Sequence, residues 1–233
     1  TLPRLAAIHP RFARAAFRQA CDLPPDLHGE AVVRWLAQQR GTFASVLGHR
    51  SPQITTIDLS IGSPLVSSLS EANACEPLSQ RICDTMATAG AEVGMGRYGE
   101  ARMLYRDPLF EDPSGERRTV HLGVDLFCRD GTPVYAPLAG TVHCCGINDA
   151  PQDYGPLIVL AHETGGGQAF YTLYGHLSAS SVAGLSEGMP VDKGQLIGAV
   201  GSPDVNGGLP AHLHVQVIID LLDLGRDFPG VCR

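Results

Sequence analysis

Residues 157–176 read Leu157-Ile158-Val159-Leu160-Ala161-His162-Glu163-Thr164-Gly165-Gly166-Gly167-Gln168-Ala169-Phe170-Tyr171-Thr172-Leu173-Tyr174-Gly175-His176. Two short runs rich in branched and aromatic residues flank three glycines, the pattern of successive strands joined by a turn. The same grammar recurs from about Tyr98 onward. Further strand candidates are Val120–Phe127, Pro133–Ala136, Gly140–Cys145, Leu196–Val200 and His212–Asp220. Glycine-bearing turns stand among them at Arg129-Asp130-Gly131-Thr132, Glu187-Gly188, Lys193-Gly194 and Asn206-Gly207-Gly208. Short strands at this spacing predict an antiparallel sheet or a small barrel.

Upstream the pattern differs. Leu5, Ile8, Phe12, Ala15 and Ala16 follow helical spacing until Pro24-Pro25 stops them. Val32, Val33, Leu36, Phe43 and Leu47 form a second amphipathic stretch closed by Gly48, with Trp35 on its flank. Ile57, Leu59 and Ile61 alternate with polar residues as a short strand would, and residues 76–91 predict another helix. The expected fold class is therefore α+β. Residues 1–98 form a mainly helical region with a short strand, and residues 99–233 form an antiparallel, barrel-like β domain.

Composition narrows the function. A chain of 233 residues that is 44% hydrophobic and 18% charged can build a real core, in one large domain or two small ones. Its net charge of −7 opposes nucleic-acid binding, which needs a concentrated basic face. No apolar run approaches the ~18 residues of a membrane span, so no membrane partner is expected. Seven cysteines, an odd number without a CxxC pair, argue for free thiols in a reducing cytosol rather than a disulfide framework. Cys144 and Cys145 are adjacent, so a strand turns them to opposite faces, one to the core and one incidental. The sequence around Thr1 and Arg233 reads as a piece of a longer polypeptide.

Chemistry concentrates in three places: His121-Leu122-Gly123-Val124-Asp125, Tyr174-Gly175-His176-Leu177, and Ala211-His212-Leu213-His214-Val215. Two imidazoles and a carboxylate are a ligand set used by catalytic zinc, which keeps its fourth position for water. His212 and His214 project to one face about 7 Å apart, so one can bind a metal while the other stands beside the water. His121 and Asp125 would lie about 13 Å apart on a straight strand, too far for one ion. A shared metal therefore requires the backbone to bend at Gly123. Tyr174 reads as packing, with a hydrogen bond into the site as the alternative. His9, His28 and His49 sit at helix ends or in loops, His143 and His162 have no same-face partner, and all five read as structural.

With these motifs the segment from about Arg118 to Val217 resembles the lysostaphin/LytM-type zinc endopeptidases. Their signatures are HxxxD, a Tyr-Gly-His-Leu segment and a closing His-x-His. The intervening text agrees at Gly131-Thr132-Pro133-Val134-Tyr135-Ala136-Pro137, Gly140-Thr141-Val142, Tyr154-Gly155 and Val191-Asp192-Lys193-Gly194-Gln195-Leu196-Ile197-Gly198. The resemblance implies that His121, Asp125 and His214 bind Zn2+. It implies that His176 and His212 are catalytic, flanking the zinc-bound water and the scissile carbonyl. No HExxH glutamate is present, so proton transfer falls to histidine. The first hundred residues resemble the segment before such a module in large bacterial polypeptides that also carry kinase-like and class III aminotransferase-like domains. That implies covalently linked neighbouring domains and a peptide or amide-containing small molecule as substrate. The cysteine usage points to a cytoplasmic setting, with a periplasmic or extracellular one as the alternative if a signal was removed.

Two other classes compete. A non-catalytic metal-binding spacer or dimerisation module would not need His176 and His212. A biotinyl or lipoyl carrier needs a lysine between apolar neighbours at a hairpin, but Lys193, the only lysine, lies in Asp192-Lys193-Gly194, and the carrier is rejected.

Overall fold

A computed structural model describes residues 27–48, 52–66, 73–105, 108–111 and 115–233. The first predicted helix, with His9 and Cys21, lies outside the described residues, as does His49. In chain order the elements are α1 (Leu27–Gln38), β1 (Ile54–Thr56), α2 (Cys75–Thr88), β2 (Val93–Gly96), β3 (Val120–His121) and β4 (Val124–Phe127). There follow β5 (Pro133–Tyr135), β6 (Gly140–Asn148), β7 (Gly155–Glu163), β8 (Ala169–Gly175), β9 (Pro190–Val191), β10 (Leu196–Ala199), β11 (His212–Ile218) and β12 (Val231–Cys232).

Eight strands make one sheet in the order β1-β2-β4-β11-β8-β7-β6-β9, and β5–β10 and β3–β12 form two smaller pairs. The chain is thus mostly β, as expected of its larger part. In the region read as mainly helical, the described residues hold little helix. Among its described residues are two helices, while β1 and β2 extend the main sheet, β2 pairing antiparallel to β4. Among the described residues no ladder joins the edge strands β1 and β9. Every ladder within residues 99–233 is antiparallel, as expected, and the one parallel ladder among the described residues joins β1 to β2 upstream. The alternation at 57–61 is not itself the strand. The strand is 54–56, whereas Ile57 and Leu59 bury themselves beyond its end and Ile61 is exposed. No helix among the described residues is long and apolar enough to cross a membrane.

β7 is apolar on both faces because both are covered. Ile158 and Leu160 point into a core with Tyr174, Leu213, Val134 and Ile197, so that β5–β10 caps one face. Leu157 and Val159 point oppositely, against Leu173 and Ile218. Farther along that second face, Phe127 packs under Ile57, Leu59 and α2 residues Leu78 and Ile82. Cys144 and Cys145 split between the two faces, each half-buried, rather than one being incidental. The described cysteines are free thiols.

Candidate metal centre and flanking histidines

The site grows from one row of the sheet. Asp125 on β4 lies directly opposite His214 on β11, with Gly96 of β2 beyond the aspartate and Gly175 of β8 beyond the histidine. Residues opposite one another in neighbouring strands share a face, so carboxylate and imidazole meet without any loop. His212, two residues before His214, faces the same way and stacks at 5.1 Å on Phe127. The glycines at the row's ends leave space above them. A Cβ on Gly96 would lie 2.8 Å from Arg102 Nη2, and one on Gly175 would lie 2.7 Å from Tyr154 Cδ1.

His121 arrives from β3. The strand breaks between His121 and Val124, at the bend that a shared ion demands. Gly123 is needed there for close approach: a Cβ would stand 2.3 Å from His214 Cε1 and 2.5 Å from its Nε2. The break brings His121 Nε2 to 3.0 Å from His214 Nδ1 and 3.2 Å from Asp125 Oδ1, and His214 Nδ1 lies 3.2 Å from the same oxygen.

Hydrogen bonds behind the rings fix their tautomers. His121 Nδ1 faces the Arg97 carbonyl at 3.2 Å, and His214 Nε2 faces Gln216 Oε1 at 3.2 Å. A carbonyl oxygen only accepts, so those ring nitrogens carry the protons. Three lone pairs, from His121 Nε2, His214 Nδ1 and Asp125 Oδ1, therefore converge with no hydrogen to separate them. Ligands about 2.0–2.1 Å from a tetrahedral zinc are about 3.3 Å from one another, close to the triangle present here. The donor set fits a divalent ion in both chemistry and spacing, and these three residues form a group suited to holding one. The outer hydrogen bonds are of the kind that orient metal ligands.

His176 and His212 stand beside this triangle, their rings 4.3 Å apart. His176 follows β8 with φ +60°, a left-handed conformation that turns its ring toward His212 and His214. Bonds from its N–H to the Tyr154 carbonyl (2.7 Å) and from Gly201 N–H to its carbonyl (2.8 Å) hold it there. Its Nδ1–H donates to the Asn206 carbonyl at 2.9 Å, and that of His212 donates to the Pro210 carbonyl at 2.6 Å. Both rings therefore present an unprotonated Nε2. Burial, reinforced by His212 and His214, holds the His176 pKa well below the usual imidazole value, and burial also lowers that of His212. Burial opposes the ionisation of Asp125, but His121 and Arg102 outweigh it and keep the carboxyl well below the usual range.

All five predicted residues thus line one cavity of about 270 Å3. Tyr174 does not reach it. Its ring lies in the opposite core, with its hydroxyl bonded to Thr172. Tyr154 takes the neighbouring place instead, 5.3 Å from the His214 ring, its hydroxyl donating to the Phe228 carbonyl at 3.1 Å. His162 is a satisfied core histidine between Ala139 O and Thr172 Oγ1, His143 packs on Tyr171, and His28 meets the Ala169 carbonyl. Sequence reading missed Arg102, which lies 2.6 Å from Asp125 Oδ2, as well as Glu100, Tyr105 and Gln216. Their only signals were charges in the polar stretch 97–102, a lone tyrosine and a strand amide, which read equally well as a solvated face and packing.

Residues 119–223 match the family model of Peptidase family M23. The match supports the lysostaphin/LytM-type resemblance and covers all five residues. A Haemophilus influenzae protein named "Uncharacterized metalloprotease" is 33% identical over 114 residues, covering 49% of this chain and 22% of that protein. The chain therefore spans about a fifth of that relative's length. Among solved structures, a zinc-containing peptidase from Vibrio cholerae is 27% identical, covering 48% of this chain and 31% of that one, with a TM-score of 0.36. The catalytic domain of lysostaphin from Staphylococcus simulans is 31% identical, covering 44% and 70%, also with a TM-score of 0.36.

Proposed function

We propose that the chain is a zinc-dependent hydrolase of a peptide or amide bond, with His121, Asp125 and His214 as metal ligands and His176 and His212 as the proton-transfer pair. The convergence of three lone pairs with no shared proton carries this reading, and the M23 match supports it. A bound zinc supplies Lewis acidity, which polarises a carbonyl and acidifies water near neutral pH. His176 and His212 are held neutral, with Nε2 free, so either accepts a proton from attacking water at pH 7. The ring that takes the proton becomes a donor toward the developing oxyanion and later toward the leaving amine. A purely structural metal would leave two buried imidazoles with unprotonated Nε2 atoms and no task.

The cavity beyond the five residues is walled by Leu104, Tyr105, Leu109, Phe110 and Phe228. Arg118, Asp153 and Asp227 share the lining, so the cavity suits a peptide or amide with both apolar and polar portions. The test pairs metal analysis of the purified chain with hydrolysis of pentaglycine-type and D-Ala-containing peptides. His176→Ala and His212→Ala should each keep a full metal equivalent while turnover falls ~10²–10⁴-fold. Loss of metal from His176→Ala would overturn the division of roles. Absence of both metal and hydrolysis in the unmodified chain would overturn the function.

A further inference from the structure

The two oxygens of Asp125 face different partners. Oδ1 closes the triangle with His121 and His214, whereas Oδ2 accepts from Arg102 Nη1 at 2.6 Å. Arg102 is itself clamped, its Nε donating to Glu100 Oε2 at 2.8 Å and its Nη1 also reaching the Tyr105 hydroxyl at 3.1 Å. Glu100 Oε1 accepts from Arg97 Nε at 3.1 Å and Nη2 at 3.0 Å, and Arg97 Nη2 reaches Asp58 at 2.6 Å. Charge alternates along this chain, from the half-exposed Asp58–Arg97 pair to the buried Arg102 and Asp125. Arg97 touches the centre a second time, because its carbonyl receives His121 Nδ1–H. Asp58, Arg97, Glu100 and Arg102 all lie outside the M23-matching residues 119–223.

Packing alone does not explain a guanidinium here. Arg102 is 3% exposed, and its Nη2 is buried without a partner among the described residues. Removing a donor from water without a hydrogen bond is unfavourable, and an apolar side chain would fill the space without that cost. What the guanidinium does supply is a charge-assisted bond to one chosen oxygen of Asp125. A carboxylate beside a divalent ion is otherwise free to turn and offer both oxygens. Two-oxygen coordination would fill the corner that an open site keeps vacant.

We propose that Arg102 is a positioning residue that holds Asp125 as a one-oxygen metal donor, and that the segment 97–102 is part of the metal centre. The proposal rests on the metal-centre reading above. Its test uses the full chain loaded with cobalt(II), whose visible absorption is intense when four-coordinate and weaker at higher coordination numbers. Arg102→Met should weaken cobalt and zinc binding about 10–100-fold in competition titrations and lower the visible absorption. Arg102→Lys keeps the charge without the two-armed geometry and should lie between Arg102→Met and the unmodified chain. Asp58→Asn, at the exposed end, should leave both readouts unchanged.

Arg102→Met that folds normally and retains unmodified affinity and spectrum overturns the assignment. Should Arg102→Met fail to fold, Glu100→Gln, which loosens Arg102 while preserving shape, must shift both readouts in the same direction, and no shift overturns the assignment. An unmodified chain that binds no cobalt overturns the metal-centre reading and this one with it. Cobalt binding with an unchanged Arg102→Met overturns only this one.

Discussion

Gly123→Ala puts one methyl group into the wall of the proposed metal centre. The new Cβ would sit 2.3 Å from His214 Cε1, 2.5 Å from Nε2 and 2.9 Å from the Val215 carbonyl oxygen. Carbon atoms rest at about 3.5–4.0 Å, so ring and methyl must separate by at least about 1 Å. Neither side yields freely. β11 is paired on both edges, by β4 and β8, and the ring is tied to Gln216 behind. Overpacking of this kind costs ~1–3 kcal/mol, and at ~2–4 °C per kcal/mol for a chain of this size the midpoint should fall by ~2–12 °C. A retreat of ~1 Å also breaks the 3.0–3.2 Å triangle, and zinc affinity should fall by at least ~10-fold, as when ligand orientation is lost. Scanning calorimetry of the metal-free chain and a zinc competition titration measure the two effects. Gly165→Ala is the control, because its Cβ would meet nothing closer than Trp35 Nε1 at 3.9 Å. A Gly123→Ala protein with unmodified midpoint and unmodified zinc affinity would refute the claim that glycine is required here for the approach of His214.

Asp125→Ala should abolish metal binding and also destabilise the metal-free chain. It takes from the buried Arg102 guanidinium one of its two carboxylates, with Glu100 remaining, so the loss should stay below the ~3–5 kcal/mol of a buried charge left wholly unpaired. Urea denaturation checks this, and a metal-free stability equal to that of the unmodified chain would count against the ion pair. His162 bears on pH. Burial lowers its folded pKa, only partly offset by the Ala139 carbonyl, so below the unfolded value near 6.5 the unfolded chain binds more protons. Its contribution to stability is therefore complete above that value and is lost as pH falls through it, at no more than ~1.4 kcal/mol per pH unit. The stability gap between the unmodified chain and His162→Gln should narrow between pH 7.5 and 5.5. A constant gap would show that His162 does not titrate differently on folding.

Period-two side-chain geometry makes His212 and His214 legible as one face, and coordination chemistry by itself requires a bend at Gly123. Both depend on a few consecutive residues. Helix 76–91 was readable for the same reason and appears as Cys75–Thr88. Local pattern failed where a partner decided the outcome. Leu47 belongs to no helix and instead enters the core through a bridge to Val134. The choice of Tyr154 over Tyr174 beside His214 follows from strand register, which puts Tyr174 opposite Val215 on the far face.

The amino-acid text by itself determined which side chains offer lone pairs and that strands would carry them, because ligand chemistry and strand periodicity are properties of short segments. Only the tertiary structure decided which atom of each ring is free, which oxygen of Asp125 is taken, and that Arg97, Glu100 and Arg102 stand behind the centre. Those outcomes arise from hydrogen bonds between segments up to ninety-odd positions apart, and such bonds exist only once sheet register has brought the backbones together.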